Sequence, residues 1–323
     1  MTAKIPNVKP GTHPVETSRY LLVTPMIERL RDYVFHWVNR CATGGIVYGL
    51  PRDGKTRAGE LIFRQLPEHF PGIVCQRHLC RQVIHPTEKA FFSGLLSSVG
   101  SRFADQGTAS QKRLRLQLHI KDLILRSGQR RIVLLIDEAQ RLNEDQYEWL
   151  IDISNELDEE RFCLTTLLVG QPEIMAVKAA FVARKRKQIV GRFMMEAFPF
   201  KGIRSKDELE VCLKCYDDSA FFPDDNDEWS YTRYFARKHF DSGWRLAAIA
   251  EHLWQVFDEI RRVNKLPSKS PEISMQEFCR TAESILLKIR EVGNPDINTN
   301  LLSEIVLRAG YGIPWDLGEL NES

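Results

Sequence analysis

The apolar positions of this chain change their period part-way along. Up to about residue 200 they gather into short continuous runs separated by helical stretches, and beyond it they fall into stripes at helical spacing. Ile46-Val47-Tyr48, Gly72-Ile73-Val74-Cys75-Gln76, Arg131-Ile132-Val133-Leu134-Leu135-Ile136 and the run at 162–169 read as strands. The third is a β-branched and aliphatic run of the kind expected for a strand buried on both faces. Thr24-Pro25 reads as an N-cap followed by proline at the first helical position, with Ile27, Leu30, Val34 and Val38 as the apolar stripe. Further helices are predicted at 57–63, 88–99 and 110–125, and another opens at Asn143 with Glu144 and Asp145. Strands alternating with helices predict an α/β fold with a parallel sheet covered on both sides.

Past Pro199 the strand-like runs cease. Ser205-Lys206-Asp207-Glu208 reads as a capping box ahead of Leu209, Cys212, Leu213 and Tyr216. Leu246, Ile249, Ala250, Leu253, Phe257 and Ile260 form a second stripe, and Ser274 with Glu277 caps a third carrying Phe278, Ala282, Ile285 and Ile289. The predicted organisation is an N-terminal arm (1–22), an α/β domain (23–203), a small α-helical domain (204–292) and a loosely held tail or docking peptide (293–323) around Tyr311-Gly312-Ile313-Pro314-Trp315.

Composition narrows this picture. A chain of 323 residues that is 43% hydrophobic can bury two cores and is not disordered. The first residues lack the apolar centre of a signal peptide, and no apolar run approaches the ~18 residues that span a bilayer. The expectation is a soluble cytoplasmic protein with no membrane partner. Seven cysteines, odd in number and scattered, argue against a disulfide framework. Cys212-x-x-Cys215 has no second pair, and Cys75, His78 and Cys80 lack a fourth ligand, so no metal is expected at either place. The net charge of +2 conceals segregation: 110–131 holds seven Lys/Arg against one acid, 184–192 five against none, and 204–230 nine acids against three bases. Lys112, Arg113, Arg115 and Lys121 in the first block and Arg184, Lys185, Arg186 and Lys187 in the second suit a polyanion, with a solvated face as the alternative. Contacts of that kind bind phosphates without reading sequence, and are salt-sensitive.

The strongest chemical signal is Gly49-Leu50-Pro51-Arg52-Asp53-Gly54-Lys55-Thr56, which completes GxxxxGK[ST] directly after a strand and before a helix. Glycines let the backbone curl so that its N–H groups face phosphates, and the helix behind presents its positive end. Lys55 then reaches the β- and γ-phosphates, and the Thr56 hydroxyl holds Mg²⁺. Asp137, at the end of the third strand, suits a carboxylate that holds Mg²⁺ through water, and Glu138 beside it suits the group that polarises the attacking water. Gln171, at the end of the fourth strand, is the candidate γ-phosphate sensor. A guanidinium near transferring phosphoryl oxygens is rewarded, which singles out Arg245 in Ser242-Gly243-Trp244-Arg245-Leu246 and Arg192 in Gly191-Arg192-Phe193. Arg245 would fold over the nucleotide. Arg192 is either a finger reaching a neighbouring subunit, a surface arginine or a DNA contact.

The phosphate loop, Asp137-Glu138, Gly170-Gln171-Pro172-Glu173, Arg192-Phe193 and Gly243-Trp244-Arg245, in that order, resemble an AAA+ ATPase over roughly residues 20–290. That resemblance implies a P-loop AAA+ core followed by a small helical lid, with ATP and Mg²⁺ as cofactors. Tyr48 to Arg57 and Leu168-Val169-Gly170-Gln171-Pro172-Glu173 look like the TnsC type of transposition regulator, related to TniB and MuB. The narrower resemblance implies a bacterial ATPase that assembles with ATP on double-stranded DNA as a ring or helical filament of roughly six or seven subunits per turn. It would couple a TniQ-like target selector, as in CRISPR-associated transposons, to the transposase subunits TnsA and TnsB. A helicase loader or initiator, and a nucleotide-dependent protein switch without DNA, remain the alternatives. Arg52-Asp53 departs from the AAA+ pattern, where a third glycine is common.

Overall fold

The computed structural model describes residues 6–83, 85–223, 227–266 and 270–313. In chain order the elements are α1 (Pro14–Thr17), α2 (Pro25–Asn39), β1 (Gly44–Tyr48), α3 (Lys55–His69), β2 (Val74–Leu79), α4 (Glu88–Ser98), α5 (Ala109–Ser127) and β3 (Arg131–Asp137). A 3₁₀ turn (Ala139–Arg141), α6 (Glu144–Glu159), β4 (Cys163–Gly170), α7 (Glu173–Ala183), α8 (Lys187–Phe193) and β5 (Glu196–Pro199) follow. Then come α9 (Lys206–Asp218), α10 (Tyr231–Phe235), α11 (Arg237–Asp241), a 3₁₀ turn (Leu246–Ile249), α12 (Ala250–Val263), α13 (Met275–Val292) and α14 (Thr299–Ala309). Contacts divide the chain into an α/β unit (Arg29–Pro51 and Lys55–Phe200) and a helical unit (Met1–Glu28, Arg52–Gly54 and Lys201–Ser323).

In the α/β unit five parallel strands lie in the order β2-β3-β4-β1-β5. The central strands β3 and β4 are buried almost throughout, as their aliphatic runs require. The core around them is built from Ile46, Ile136, Leu168, Phe92, Leu150 and Phe193, among others. Local chemistry fixes the helix ends. Thr108 and Gln111 form a reciprocal capping box on α5, which stops at Gly128 in the left-handed region, and Asn143 with Gln146 does the same at the start of α6.

The edges depart from the sequence reading. The second strand runs to Leu79, through the polar Gln76, Arg77 and His78, because β2 is an edge strand and need not bury both faces. The short β5 at the other edge lies outside the predicted strands. So does α7, whose residues are apolar at most positions and show no stripe.

In the helical unit Leu209, Leu213, Leu253, Phe257, Phe278 and Ile285 form the centre of a separate core. Ser274 and Glu277 cap α13 reciprocally. At α9 the Ser205 side chain accepts from Glu208 N–H, but the returning Glu208 carboxylate binds Arg204 N–H, so that box is shifted by one residue. Cys212 and Cys215 are buried on α9.

Two expectations about the chain ends are corrected. The N-terminal stretch is no free arm: Val15 and Leu22 enter the helical core, and the fully buried His13 ring lies 4.5–5.1 Å from the rings of Phe222, Tyr231, Tyr234 and Phe235. Tyr20 bonds Tyr216 and Glu283, and Glu16 pairs with Arg290. The predicted tail likewise forms α14, which buries Leu302, Ile305 and Val306, with Tyr311 packed on Phe257. A run of polar residues hid both segments, because a few apolar anchors suffice when the partner surface is already built. Pro314 and Trp315 lie outside the described residues.

Burial lowers the pKa of His13 from 6.5 to about 4, with Glu16 opposing and Arg290 assisting, so the folded chain refuses a proton that the unfolded chain accepts. Stability should therefore fall as pH drops from about 6.5 toward about 4. Urea midpoints measured across that range should show a shallower slope for His13→Phe. His78, lowered by burial to about 4 as well, contributes to the slope in the same direction.

Candidate nucleotide-binding site

Parallel register brings three strand ends to one edge of the sheet: Tyr48 lies opposite Gly170, and Asp137 opposite Val169. The loop after β1 is tied there by Gly49 N–H donating to the Gly170 carbonyl at 3.3 Å. Within the loop Arg52 takes φ +71° and Gly54 φ +98°. Arg52 thus adopts a left-handed conformation that glycine would take at lower cost. Asp53 is buried, 3% exposed. The Lys55 ammonium, at the first residue of α3, donates to the carbonyls of Gly49 (2.7 Å) and Leu50 (2.6 Å), and so braces the loop from inside.

Thr56 Oγ1 donates to Asp137 Oδ2 at 3.0 Å, while Asp137 Oδ1 accepts from Glu138 N–H at 3.1 Å. Glu138 sits at φ +58° and turns the chain sharply after β3. Its Oε2 accepts from Gln140 Nε2 (2.9 Å) and Gln171 Nε2 (3.4 Å) and pairs with Arg141 (3.3 Å). Gln140 Oε1 accepts from Gln171 N–H at 3.2 Å. Gly170 permits this, because a Cβ there would meet Gln140 Oε1 at 2.6 Å. Thr56, Asp137, Glu138 and Gln171 therefore form one hydrogen-bonded array. Gln140 and Arg141 join it without having been singled out from sequence, although their position just after Asp137-Glu138 was the available signal.

Arg77 is a further addition. From β2 it donates to Asp137 Oδ2 (2.7 Å) and to Glu60 Oε1 (3.0 Å), while Arg57 bonds the other oxygen of Glu60 at 3.0 Å. Burial opposes the Arg77 charge, but its bonds to the two carboxylates outweigh that and raise its pKa. The hydroxyl and carboxylate oxygens of Thr56 and Asp137, 3.0 Å apart, are the hard donors that suit Mg²⁺, an ion that keeps most of its water and takes few protein ligands. Among the described residues no cluster of His, Cys, Asp and Glu could hold a metal by itself, Cys75, His78 and Cys80 included.

Residues 40–177 match the family described as AAA domain. The structure of the Aeropyrum pernix ORC2 protein in ADPNP–ADP complexes is similar over 92% of this chain and 72% of that one, at 12% identity and a TM-score of 0.58. Its ADP form is similar over 95% and 71%, at 12% identity and 0.53. The fold is that of an AAA+ P-loop protein. No curated protein matches the chain.

The other two candidate residues each hydrogen-bond within their own unit. Arg192, on α8 of the α/β unit, donates to Ser154 Oγ (2.9 Å) and to Asn155 on α6. Arg245, in the helical unit, donates to the carbonyls of Phe240 and Trp244 (2.9 Å each) and lies 3.7 Å from the centre of the Phe240 ring. The turn after it is anchored by the buried Asp217, which accepts from Leu246 and Ala247 N–H. Among the described residues no helix is long and apolar enough to cross a membrane.

The basic blocks look different in three dimensions. Lys112 is a correction: it is fully buried, and its ammonium donates to Ser93 Oγ (2.7 Å) and the Ala104 carbonyl, so it cannot meet DNA from that position. Arg113 pairs with Asp152, Arg115 donates to the carbonyls of Phe103 and Gln106, and Lys121 pairs with Glu160. The large apolar side chains exposed on α5 are Leu114, Leu118 and Leu125. Arg184 and Arg186 both pair with Glu144, while Lys185 and Lys187 stand exposed beside them.

Lys112→Ala should accordingly act on stability. Two acceptors would lose a buried charged donor, and the expected cost is about 1–3 kcal/mol, read from urea unfolding.

Proposed function

We propose that this chain binds and hydrolyses Mg²⁺·ATP, and that nucleotide occupancy governs its assembly on duplex DNA in the manner of a TnsC-type transposition regulator. The observation that carries the nucleotide reading is the continuous array from Thr56 through Asp137 and Glu138 to Gln171 beside the phosphate loop. Backbone N–H groups of 52–55 and the N-terminus of α3 would hold the phosphates, and Lys55 would exchange its loop carbonyls for phosphate oxygens. Mg²⁺, held by Thr56 and Asp137, would neutralise charge on the β- and γ-phosphates. Glu138 would orient the attacking water, and its link to Gln171 would couple that carboxylate to a γ-phosphate contact. An adenine nucleotide is supported by the similar fold of Aeropyrum pernix ORC2, described in complexes with ADPNP and ADP.

The DNA and transposition parts rest on the order of motifs and on the exposed run at 184–187. In this reading the partners are duplex DNA, further copies of the chain, a TniQ-like selector and the transposase subunits TnsA and TnsB. Arg192 is the candidate finger between copies, and Arg245 the candidate contact from the helical unit.

One experiment tests both levels: ATP turnover with and without duplex DNA, alongside electron microscopy. ATP-dependent rings or filaments on DNA support the regulator. An ATPase that acts only with a helicase partner points to a loader or initiator, and absence of DNA binding at low salt leaves a protein switch. Lys55→Ala should weaken ATP binding roughly 10- to 100-fold, the scale of losing hydrogen bonds to a charged group, and abolish nucleotide-dependent assembly. Glu138→Gln should retain ATP yet turn over about a hundredfold more slowly, so that assemblies accumulate; undiminished turnover removes Glu138 from its role.

A further inference from the structure

We infer that Arg77 is a resident counter-ion of Asp137 which a divalent cation must displace, with Glu60 as the carboxylate to which it withdraws, so that this arginine sets the Mg²⁺ requirement for nucleotide binding. The inference rests on the nucleotide reading above. Both oxygens of Asp137 are engaged: Oδ1 by Glu138 N–H, and Oδ2 by the Thr56 hydroxyl and by Arg77 at 2.7 Å. A hydrated Mg²⁺ needs Asp137 as acceptor, and a guanidinium on the same oxygen competes with it for lone pairs and by charge. Arg77 does not depend on Asp137 alone. Its other nitrogen binds Glu60 Oε1 at 3.0 Å, and Glu60 lies on α3, as does Thr56. The planar fork of arginine can span two carboxylates and keep one while releasing the other, which a single ammonium does less well.

The same arrangement orients the site before the metal arrives. Arg77 comes from an edge strand, Glu60 and Thr56 from α3, and Asp137 from the strand beside β2. Arg77 is therefore a positioning residue. Its effect is on how much Mg²⁺ the site demands, and its signature is that removing the guanidinium and removing its second carboxylate, Glu60, shift that demand in opposite directions.

The test titrates Mg²⁺ against the binding of a ribose-labelled fluorescent ATP analogue to the full chain, with thermal unfolding to confirm folding of each variant. Arg77→Ala should lower the Mg²⁺ half-saturation about two- to fivefold, the scale of one partly exposed ion pair. Glu60→Gln should raise it, because the guanidinium then rests on Asp137 alone, and Arg77→Lys, which keeps the charge without the fork, should hold the half-saturation above that of Arg77→Ala. A half-saturation that is unchanged or higher in Arg77→Ala, or a shift in the same direction for Arg77→Ala and Glu60→Gln, overturns the inference. Should Arg77→Ala fail to fold, Glu60→Gln and Arg77→Lys still decide it, since a fall in the first or a loss of the requirement in the second overturns it. If the wild-type chain binds no labelled ATP at any Mg²⁺ concentration, the nucleotide reading falls and takes this inference with it. If it binds and the variants share its Mg²⁺ dependence, this inference alone falls.

Discussion

The register of the parallel sheet is the constraint on which the candidate site depends. Parallel strands all finish at the same edge, and here β1, β3 and β4 finish in step, with Tyr48 opposite Gly170 and Asp137 opposite Val169. A slip of one residue would turn every side chain of a strand to the opposite face. Because β3 and β4 are buried on both faces, packing on both sides resists such a slip. The phosphate loop, the Asp137-Glu138 pair and Gln171 therefore meet through the geometry of the sheet, with no long side chain reaching across. What remains is the cost of a buried carboxylate, Asp137 being 4% exposed, and donors from α3, β2 and its own chain offset it.

The interior of this pattern was legible in the sequence, and its margins were not. Continuous aliphatic runs announce buried strands, and GxxxxGK[ST] announces its loop, because both depend on neighbours in the chain. Edge strands carry polar residues such as Gln76 and Arg77, which break the run without breaking the strand. The N-terminal segment is held by His13 in a box of aromatic rings drawn from residues 222–235, and no local period records such a contact. Arg77 and Glu60 meet because α3 packs beside β2, so neither could be tied to Asp137 from spacing. Gln140 was closer to view: a polar residue just past an acid pair that turns at positive φ has little choice but to face that pair.

Charge was misleading in a different way. A run of like charges along a helix is spread around its circumference, since successive residues turn by about 100°. On α5 the result is that Lys112 is buried, Arg113 and Lys121 fold onto acids of α6 and the residue after it, and leucines take the solvent face. In the block at 110–131, Arg113, Lys121 and Arg126 pair with acids, while Arg115, Arg130 and Arg131 donate to carbonyls.

The arginines sort by what they touch. Among the described residues, Arg113, Arg184 and Arg186 rest on carboxylates, and to meet a phosphate each would have to give up an ion pair. Arg192 rests on a hydroxyl and an amide, and Arg245 on carbonyls and an aromatic face. Neutral acceptors leave the guanidinium charge uncompensated, and exchanging them for phosphoryl oxygens replaces weaker hydrogen bonds with charge-assisted ones. Arg113, Arg184 and Arg186 are thus held by opposite charge, whereas Arg192, Arg245 and, in the first basic block, Arg115 rest on neutral acceptors. That difference ranks Arg192 and Arg245 above Arg113, Arg184 and Arg186 as candidates for contact with a phosphoryl group.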